Sequence, residues 1–378
     1  MWQKERMSQM EQIKVLFETI EDKRHQGYVK HKLSEILIMV MGAVVCGITE
    51  LSDMMVYFEK KTDFYREKFG IEKYPSKPTL SRILNMVDGD AVGKAIVQIL
   101  RDYMGELGKI IAVDGKAICG TGKKDKAHSF LQILTAYATE SGVTLAQESI
   151  SYGDKTNEIP VFQSMLDYLD VEGKTVTADA MHCQKETCGK IVSKGGDYVF
   201  GLKGNQGRLY EDVSLYFGDS INDGDVKTFD TFEKNGGRFE KRICFASDNI
   251  DWISDLPLWP GLRTIFAITR ITTSKEKTTK ETCFYITSLP CEPKNLLTVT
   301  RSHWKIESMH WSLDVIWNED DSGILSDNGN KTLNAFRKLA FLGHKNYIHS
   351  LPKKRSVKGN VLAALLDDEV CYDVLRCL

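Results

Sequence analysis

The apolar pattern of the chain changes near residue 109 from a helical period to a strand period. Before this point, segments such as 10–20 and 32–46 place apolar residues at helical spacing, and no strand-like run interrupts them. After it come the short β-rich runs IIAVDGKAI, SFLQILTAYAT and VTLAQESIS, followed by strands that alternate with helices. This order predicts an α/β fold in which helices pack on a mixed sheet, preceded by an all-helical N-terminal domain at residues 1–106.

Two further changes of composition divide the rest of the chain. Residues 220–290 are rich in Thr, Phe, Ile and turn residues, which predicts a β-rich insertion. The chain is helical again after Pro293. These changes predict a core formed by residues 107–219 and 291–350, the insertion at 220–290 and a C-terminal tail at 351–378. Within the helical domain, we expect one helix at 53–69, and Thr79 is the expected N-cap of a short helix that runs through Val87.

The overall composition excludes some classes of protein. A net charge of −2 gives no basic excess, so any nucleic-acid contact must come from local clusters of Lys and Arg. The nine cysteines lack a CxxC pair, which disfavours a zinc ribbon or finger and indicates reduced thiols. The apolar run at 36–48 is too short to span a bilayer, and the N-terminus is too polar for a secretory signal. We therefore expect a cytoplasmic protein with no membrane partner.

Three carboxylates lie in unusually apolar surroundings. Asp114 is at the centre of the run IIAVDGKAI, and Asp179 has a similar place in the strand-like segment TVTADAM. Glu307 is predicted to lie on a helix, with tryptophans and Ile306 around it. A charge in such surroundings is costly unless it is paired or bound to a metal. Each acid alone is more commonly at the exposed end of its element, but their recurrence predicts that the three meet in the folded chain.

A trio of carboxylates suits the cleavage of phosphodiester bonds. Two metal ions can activate the attacking hydroxyl and stabilise the leaving oxygen, so no side chain has to act as a nucleophile. Mg²⁺ prefers hard oxygen ligands, and a few carboxylates with the substrate phosphate are sufficient to bind it. The expected cofactor is therefore Mg²⁺, with Mn²⁺ as a substitute.

Five segments resemble, in their order, the bacterial insertion-sequence transposases of the H-repeat-associated (ISAs1-like) branch of the acidic-triad DDE class. They are IAVDGKAICG, TVTADAMHCQ, DYVFGLKGNQ, GGRFEKR and HWKIESMHWSLDVIWNED. The resemblance implies a ribonuclease-H-like core with a β-rich insertion before the last acid. It implies that Asp114, Asp179 and Glu307 are the catalytic, metal-binding acids. It also implies double-stranded DNA as the partner, cleavage of transposon ends with strand transfer, and a homodimer in the synaptic complex of a bacterial cell.

The surroundings of Glu307 depart from the wider superfamily. Related branches carry Tyr, Arg and Lys where this chain has Thr300, His303 and Asp314, and Gly323 takes the place of an expected Arg. These departures leave two alternatives open: a decayed, DNA-binding or regulatory descendant of a transposase, and a magnesium nuclease without strand transfer. The residues expected to contact DNA phosphates are Lys116, Lys203, Arg238, Arg301, His303 and Lys305.

Two other motifs have competing interpretations. Glu307-x-x-His310, with His303 one turn earlier, matches half of a carboxylate-bridged di-iron site, but no second ExxH exists and Asp179-x-x-His182 is the nearest match. The simpler interpretation is that His310 and Trp311 pack the helix against the sheet. Trp252 and Trp259 are expected to pack as well, although an aromatic face also suits stacking on a displaced base.

Overall fold

The structure is a computed structural model that describes residues 9–104, 107–121, 130–150, 158–219, 225–235, 237–274, 277–324 and 326–378. Residues 9–104 form helices and the segments that connect them, as predicted. Their helices are α1 (Gln9–Thr19), α2 (Leu33–Val45), α3 (Leu51–Lys60), α4 (Thr62–Phe69), α5 (Lys77–Met86) and α6 (Gly89–Met104). Helix α2 is almost entirely buried because its apolar residues surround the helix axis.

Two predicted boundaries in this region are wrong. The single helix expected at 53–69 is divided into α3 and α4, and the Thr62 hydroxyl donates to the carbonyl of Phe58, 2.9 Å away, at the break. Thr79 is not an N-cap, since α5 begins at Lys77 after an extended Ser76. Pro78 in the first turn explains the earlier start, because proline there lacks only an N–H that a helix leaves unbonded anyway.

Nine strands form one mixed sheet in the order β3-β2-β1-β4-β5-β9-β8-β7-β6. Strands β1, β4 and β5 are parallel to one another, and every other neighbouring pair is antiparallel. The strands are β1 (Ile110–Ile118), β2 (Leu131–Ala138), β3 (Val143–Ile150), β4 (Thr175–Ala178), β5 (Asp197–Leu202), β6 (Lys227–Asn235), β7 (Arg238–Ser247), β8 (Thr264–Ser274) and β9 (Lys277–Thr287). The predicted mixed α/β architecture is confirmed. The β-rich segment extends this sheet as two hairpins, because β9 pairs with β5.

The remaining helices cover the sheet and join it to the N-terminal helices. They are α7 (Glu158–Tyr168), α8 (Lys185–Ser193), α9 (Gly207–Asp219), α10 (Pro293–Trp317), α11 (Asp327–Ser350), α12 (Val357–Leu366) and α13 (Asp368–Arg376). The segment 351–378, expected to be a tail, folds as α12 and α13. In α10, the indole of buried Trp317 donates to the carbonyl of Val44, 2.6 Å away. One apolar core therefore continues from the N-terminal helices to the sheet.

The cysteines of the described ranges are free thiols. In the described ranges, no helix combines the length and apolar character needed to cross a bilayer.

Candidate active site

Asp114 lies on β1, in the interior of the sheet. Apolar residues at 111–113 are fully buried and hold the strand in place, and Asp114 pairs in register with Thr135 of β2. Its side chain keeps 28% of its surface exposed, so the carboxylate reaches solvent despite the buried strand. This position agrees with the prediction that an acid interrupts an apolar strand.

Asp179 lies one residue beyond β4, which ends at Ala178, and so the expectation of an acid inside the strand is wrong. Its carboxylate accepts the N–H of Met181 at 3.1 Å and caps a short 3₁₀ helix at residues 180–182. Val113 of β1 pairs with Ala178 of parallel β4, so Asp114 and Asp179 follow a registered pair on neighbouring strands. Since neighbouring strands are about 4.8 Å apart, this register places the two acids side by side at the end of β4.

Glu307 belongs to α10 and lies near these two acids. Partial desolvation, together with the negative charges of Asp114 and Asp179, raises the pKa of its carboxyl above the ordinary value. The charges of Asp114 and Asp179 are thus close enough to act on Glu307. Within the described ranges, no group of three or more His, Cys, Asp or Glu side chains is close enough to surround a metal ion.

His310 of α10 contacts the Asp114 carboxylate directly. Its Nδ1 atom lies 3.2 Å from Asp114 Oδ2, while its buried Nε2 atom has no hydrogen-bond partner among the residues that the structure describes. Burial tends to raise the pKa of Asp114, but the hydrogen bond to His310 and the charges of His310 and His303 outweigh it, so the net pKa is lowered. This environment keeps Asp114 ionised.

His303 lies on the same face of α10 as Glu307 and His310. Its Nδ1 atom is 3.1 Å from the hydroxyl of Thr177 on β4. Burial lowers the pKa of His303, and the nearby Asp114 and Asp179 only partly offset this effect. His303 therefore links α10 to β4 through the Thr177 hydroxyl, and its expected contact with a DNA phosphate stays a prediction.

Lys116 is held by acids of its own chain. Its ammonium group contacts Asp314, lies 2.9 Å from Glu319 and is 3.9 Å from Asp320. Burial tends to lower the pKa of Lys116, but these carboxylates outweigh it and the net pKa is raised. With a side chain only 13% exposed, Lys116 is not available to a DNA phosphate, and the structure contradicts that expectation.

Glu319 links Lys116 to the interior. It has no exposed surface, accepts from the amide of Asn334 at 2.9 Å and lies 3.5 Å from the guanidinium of buried Arg337. The charged pair Arg337-Lys338 within the apolar run of α11 was a sign of such a network that the sequence interpretation missed. At Gly323, a Cβ would lie 2.5 Å from a Glu50 carboxylate oxygen, so the Arg expected there would require the flexible Glu50 side chain to move.

The other residues expected to bind DNA differ in their availability. Lys203 and Arg238 are exposed, and neither forms an ion pair within the described parts of the chain. Arg301 forms a bidentate pair with Glu233, at 2.5 and 3.0 Å. Lys305 donates to the carbonyl of Thr139 at 3.0 Å. Lys203 and Arg238 therefore remain the more accessible candidates.

The structure does not support the di-iron interpretation. His303 and His310 already contact Thr177 and Asp114, respectively. His182 of the Asp179-x-x-His182 match is buried, with its ring packed edge-on against Phe162 at a centroid distance of 5.0 Å. Its Nε2 atom lies 3.5 Å from Glu158. Each of these histidines thus contacts a group of its own chain, and the described side chains form no group of three or more that could hold a metal ion.

The tryptophans are distributed differently from the prediction. Trp259 is buried, and Trp252 stacks on Tyr216 at a centroid distance of 5.1 Å, so both pack as expected. His310 is also buried. Trp311, however, is 63% exposed and does not pack against the sheet. The spacing of residues around Trp311 in the sequence did not show that this tryptophan lies on the exposed face of α10.

Comparisons with known proteins agree with this architecture. A family model described as "DDE_Tnp_1-associated" matches residues 15–99, and one described as "Transposase DDE domain" matches residues 106–342. The chain is 32% identical over 359 residues to "Putative transposase YncI" of Escherichia coli O157:H7, covering 90% of this chain and 87% of that protein. It is 30% identical over 330 residues to "H repeat-associated putative transposase YhhI" of Escherichia coli K12, covering 85% and 87%.

Among solved structures, the chain is similar to the piggyBac transposase in a synaptic complex with hairpin DNA, with a TM-score of 0.41 and 10% identity. That similarity covers 97% of this chain and 78% of the other. The transposase family model alone covers well over half of the chain. The chain belongs to the DDE transposase family, in the branch of the H-repeat-associated proteins.

Proposed function

We propose that this chain cleaves the ends of a DNA element and joins them to target DNA, with Asp114, Asp179 and Glu307 as its catalytic acids. One observation carries the proposal. Asp114 and Asp179 follow the registered pair Val113 and Ala178 on neighbouring strands, and both charges act on Glu307 from α10. A bound cation would offset the negative charge that these acids bring to one solvent-accessible site.

The three side chains would have to move closer together to surround a metal ion, but their chemistry suits a divalent cation. Three carboxylates are the hard oxygen ligands that Mg²⁺ prefers, and Asp114, Asp179 and Glu307 would hold Mg²⁺ or, in its place, Mn²⁺. When bound, the metal would favour the ionised form of the attacking hydroxyl and stabilise the leaving oxygen. The chain contributes the orientation of the acids: His310 holds the Asp114 carboxylate, and His303 ties the Glu307 helix to β4.

The proposed reaction has two phosphoryl transfers at one site. In the first, the oxygen of a water molecule bonds to phosphorus, and the 3′ oxygen leaves and takes up a proton. In the second, this 3′-hydroxyl loses its proton and bonds to a phosphorus of the target DNA, whose own 3′ oxygen leaves. No covalent intermediate with a side chain is required.

Double-stranded DNA is the proposed partner, bound by a homodimer that holds two element ends together. Lys203 and Arg238 are the first candidates for phosphate contacts because they are exposed. Arg301 and Lys305 would first have to leave Glu233 and the carbonyl of Thr139. Lys116 is excluded from this set by its buried ion pairs.

The test is an assay with purified full-length chain, Mg²⁺ and labelled duplexes that carry the ends of the encoding element. Asp179→Asn should abolish cleavage and leave DNA affinity within twofold of the wild type. Asp63→Asn, which removes an exposed acid of α4, is the matched control and should cleave normally. Full cleavage by Asp179→Asn would refute the catalytic assignment.

The same assay separates the alternatives. Binding of the ends by the wild-type chain without any nicking would identify a transposase-derived DNA-binding protein. Cleavage without joined products would identify a nuclease.

A further inference from the structure

Helix α10 presents two tryptophans to solvent. Trp304 is 53% exposed and Trp311 is 63% exposed, and neither indole stacks on another ring within the described part of the chain. Trp252, which is also partly exposed, instead stacks on Tyr216 and donates its indole N–H to the carbonyl of Asn249 at 2.8 Å. The exposure of Trp304 and Trp311 is therefore not explained by packing.

The two indoles flank the third acid of the candidate site. Trp304 precedes Glu307 by three residues and Trp311 follows it by four, so the three side chains are neighbours on one strip of the helix surface. Seven residues of α-helix advance about 10.5 Å, which places the rings on either side of the carboxylate. A strand whose phosphate reaches Asp114, Asp179 and Glu307 has its bases within reach of both rings.

We propose that Trp304 and Trp311 stack on unpaired bases of the DNA strand whose backbone is held at the three acids. The inference rests on the proposed function and adds the recognition of unpaired DNA next to the scissile phosphate. Indole rings accept any base because each base has an aromatic face. In a duplex these faces are covered by neighbouring bases, so the strip selects nucleotides that have left the stack.

The composition of the strip favours DNA over a second copy of the chain. Charged and polar residues lie between and beside the rings, whereas the centre of a stable protein interface is depleted of charge. The exposed polar neighbours are Arg301, Lys305, Glu307 and Ser308. Isolated aromatic faces separated by polar groups suit a strand of alternating bases and phosphates.

The experiment measures DNA affinity without cleavage. The full-length chain is titrated, in EDTA, against a fluorescein-labelled single strand of 20 mixed-sequence nucleotides, the matching duplex, and a 20-nucleotide strand of abasic residues. Trp304→Ala and Trp311→Ala should each weaken binding of the single strand about tenfold. Trp304→Phe and Trp311→Phe should retain most of the affinity. Trp252→Ala is the matched control and should bind like the wild type.

Three results would overturn the inference. The first is unchanged affinity of both alanine variants for the single strand. The second is an equal loss of affinity for the single strand, the duplex and the abasic strand, which would mean that the rings act through the fold. The third is dissociation of a dimer by either variant in sedimentation velocity, with no change in single-strand affinity. Because no metal or cleavage enters this assay, tryptophan-dependent binding by a chain that never nicks DNA would refute the proposed function alone.

Discussion

The Nδ1 atom of His310 lies 3.2 Å from Oδ2 of Asp114, and this contact joins the helix of the third candidate acid to the strand of the first. His303 makes a similar contact with Thr177 of β4, and Asp314 contacts Lys116 of β1. Glu307 lies between these contacts on the same face of α10. Three polar links thus determine which side of the helix faces the acids of the sheet.

Removal of the His310 imidazole should impair catalysis more than DNA binding. In His310→Ala, the Asp114 carboxylate loses the imidazole that contacts it from α10, and groups that orient a metal-binding carboxylate typically contribute 10–100-fold to activity. We expect cleavage to fall by about that factor, with DNA affinity within twofold of the wild type. His349→Ala, at an exposed position of α11, is the control. Cleavage at the wild-type rate would show that Asp114 does not depend on His310.

Loss of the Lys116 ammonium should destabilise the fold. In Lys116→Met, the fully buried Glu319 would keep only Arg337 and Asn334 as partners, and breaking a buried ion pair costs about 3–5 kcal/mol. Urea unfolding should show this loss. The surface pair of Lys190 and Asp167 provides the control, since Lys190→Met should cost less than about 1 kcal/mol. Equal losses in the two variants would contradict a buried network.

Lys338 should make the stability of the fold depend on pH. Burial lowers the pKa of this lysine to about 7, and its amine contacts Thr135 and Gln147 at 2.8 and 3.2 Å. The unfolded chain, with an ordinary lysine pKa of 10.5, binds more protons between pH 7 and 10.5, so stability rises with pH across this window. The contribution of Lys338 is about 1.4 kcal/mol per pH unit.

Lys338→Met removes this titration and provides the comparison. The difference in unfolding free energy between the wild type and Lys338→Met should change by about 2 kcal/mol in favour of the wild type from pH 7 to pH 9. A difference that stays constant over this range would show that the amine is protonated in the folded chain.

Exposed and buried cations should differ in the salt dependence of DNA binding. Each phosphate contact contributes about one unit to the slope of log affinity against log salt concentration. Arg238→Gln should lower the magnitude of this slope by about one because Arg238 is exposed. Lys116→Met should leave the slope unchanged, since Lys116 is occupied by Asp314 and Glu319. A smaller slope for Lys116→Met together with an unchanged slope for Arg238→Gln would instead indicate that Lys116 contacts DNA.

Elements with a local signature were predictable. The run IIAVDGKAI forms β1 at Ile110–Ile118, and the helical segment after Pro293 forms α10. Contacts between distant segments were not: Lys116 looked like a free cation because its partner Asp314 is 198 residues away. The apolar residues around Asp179 predict a place inside a strand. The strand ends earlier, since the Asp179 carboxylate bonds the N–H of Met181 and begins a turn.

The sequence by itself determined the classes of secondary structure, which depend on residue types at short spacing. Its resemblance to a family implied the three acids that we propose for catalysis. Tertiary structure decided which of these residues are available. It put Asp114 and Asp179 side by side through the register of β1 and β4, enclosed Lys116 among acids and left Trp304 and Trp311 exposed beside Glu307. The reason is physical: a charge or a ring acquires its role from what packs against it, and those neighbours come from distant parts of the chain.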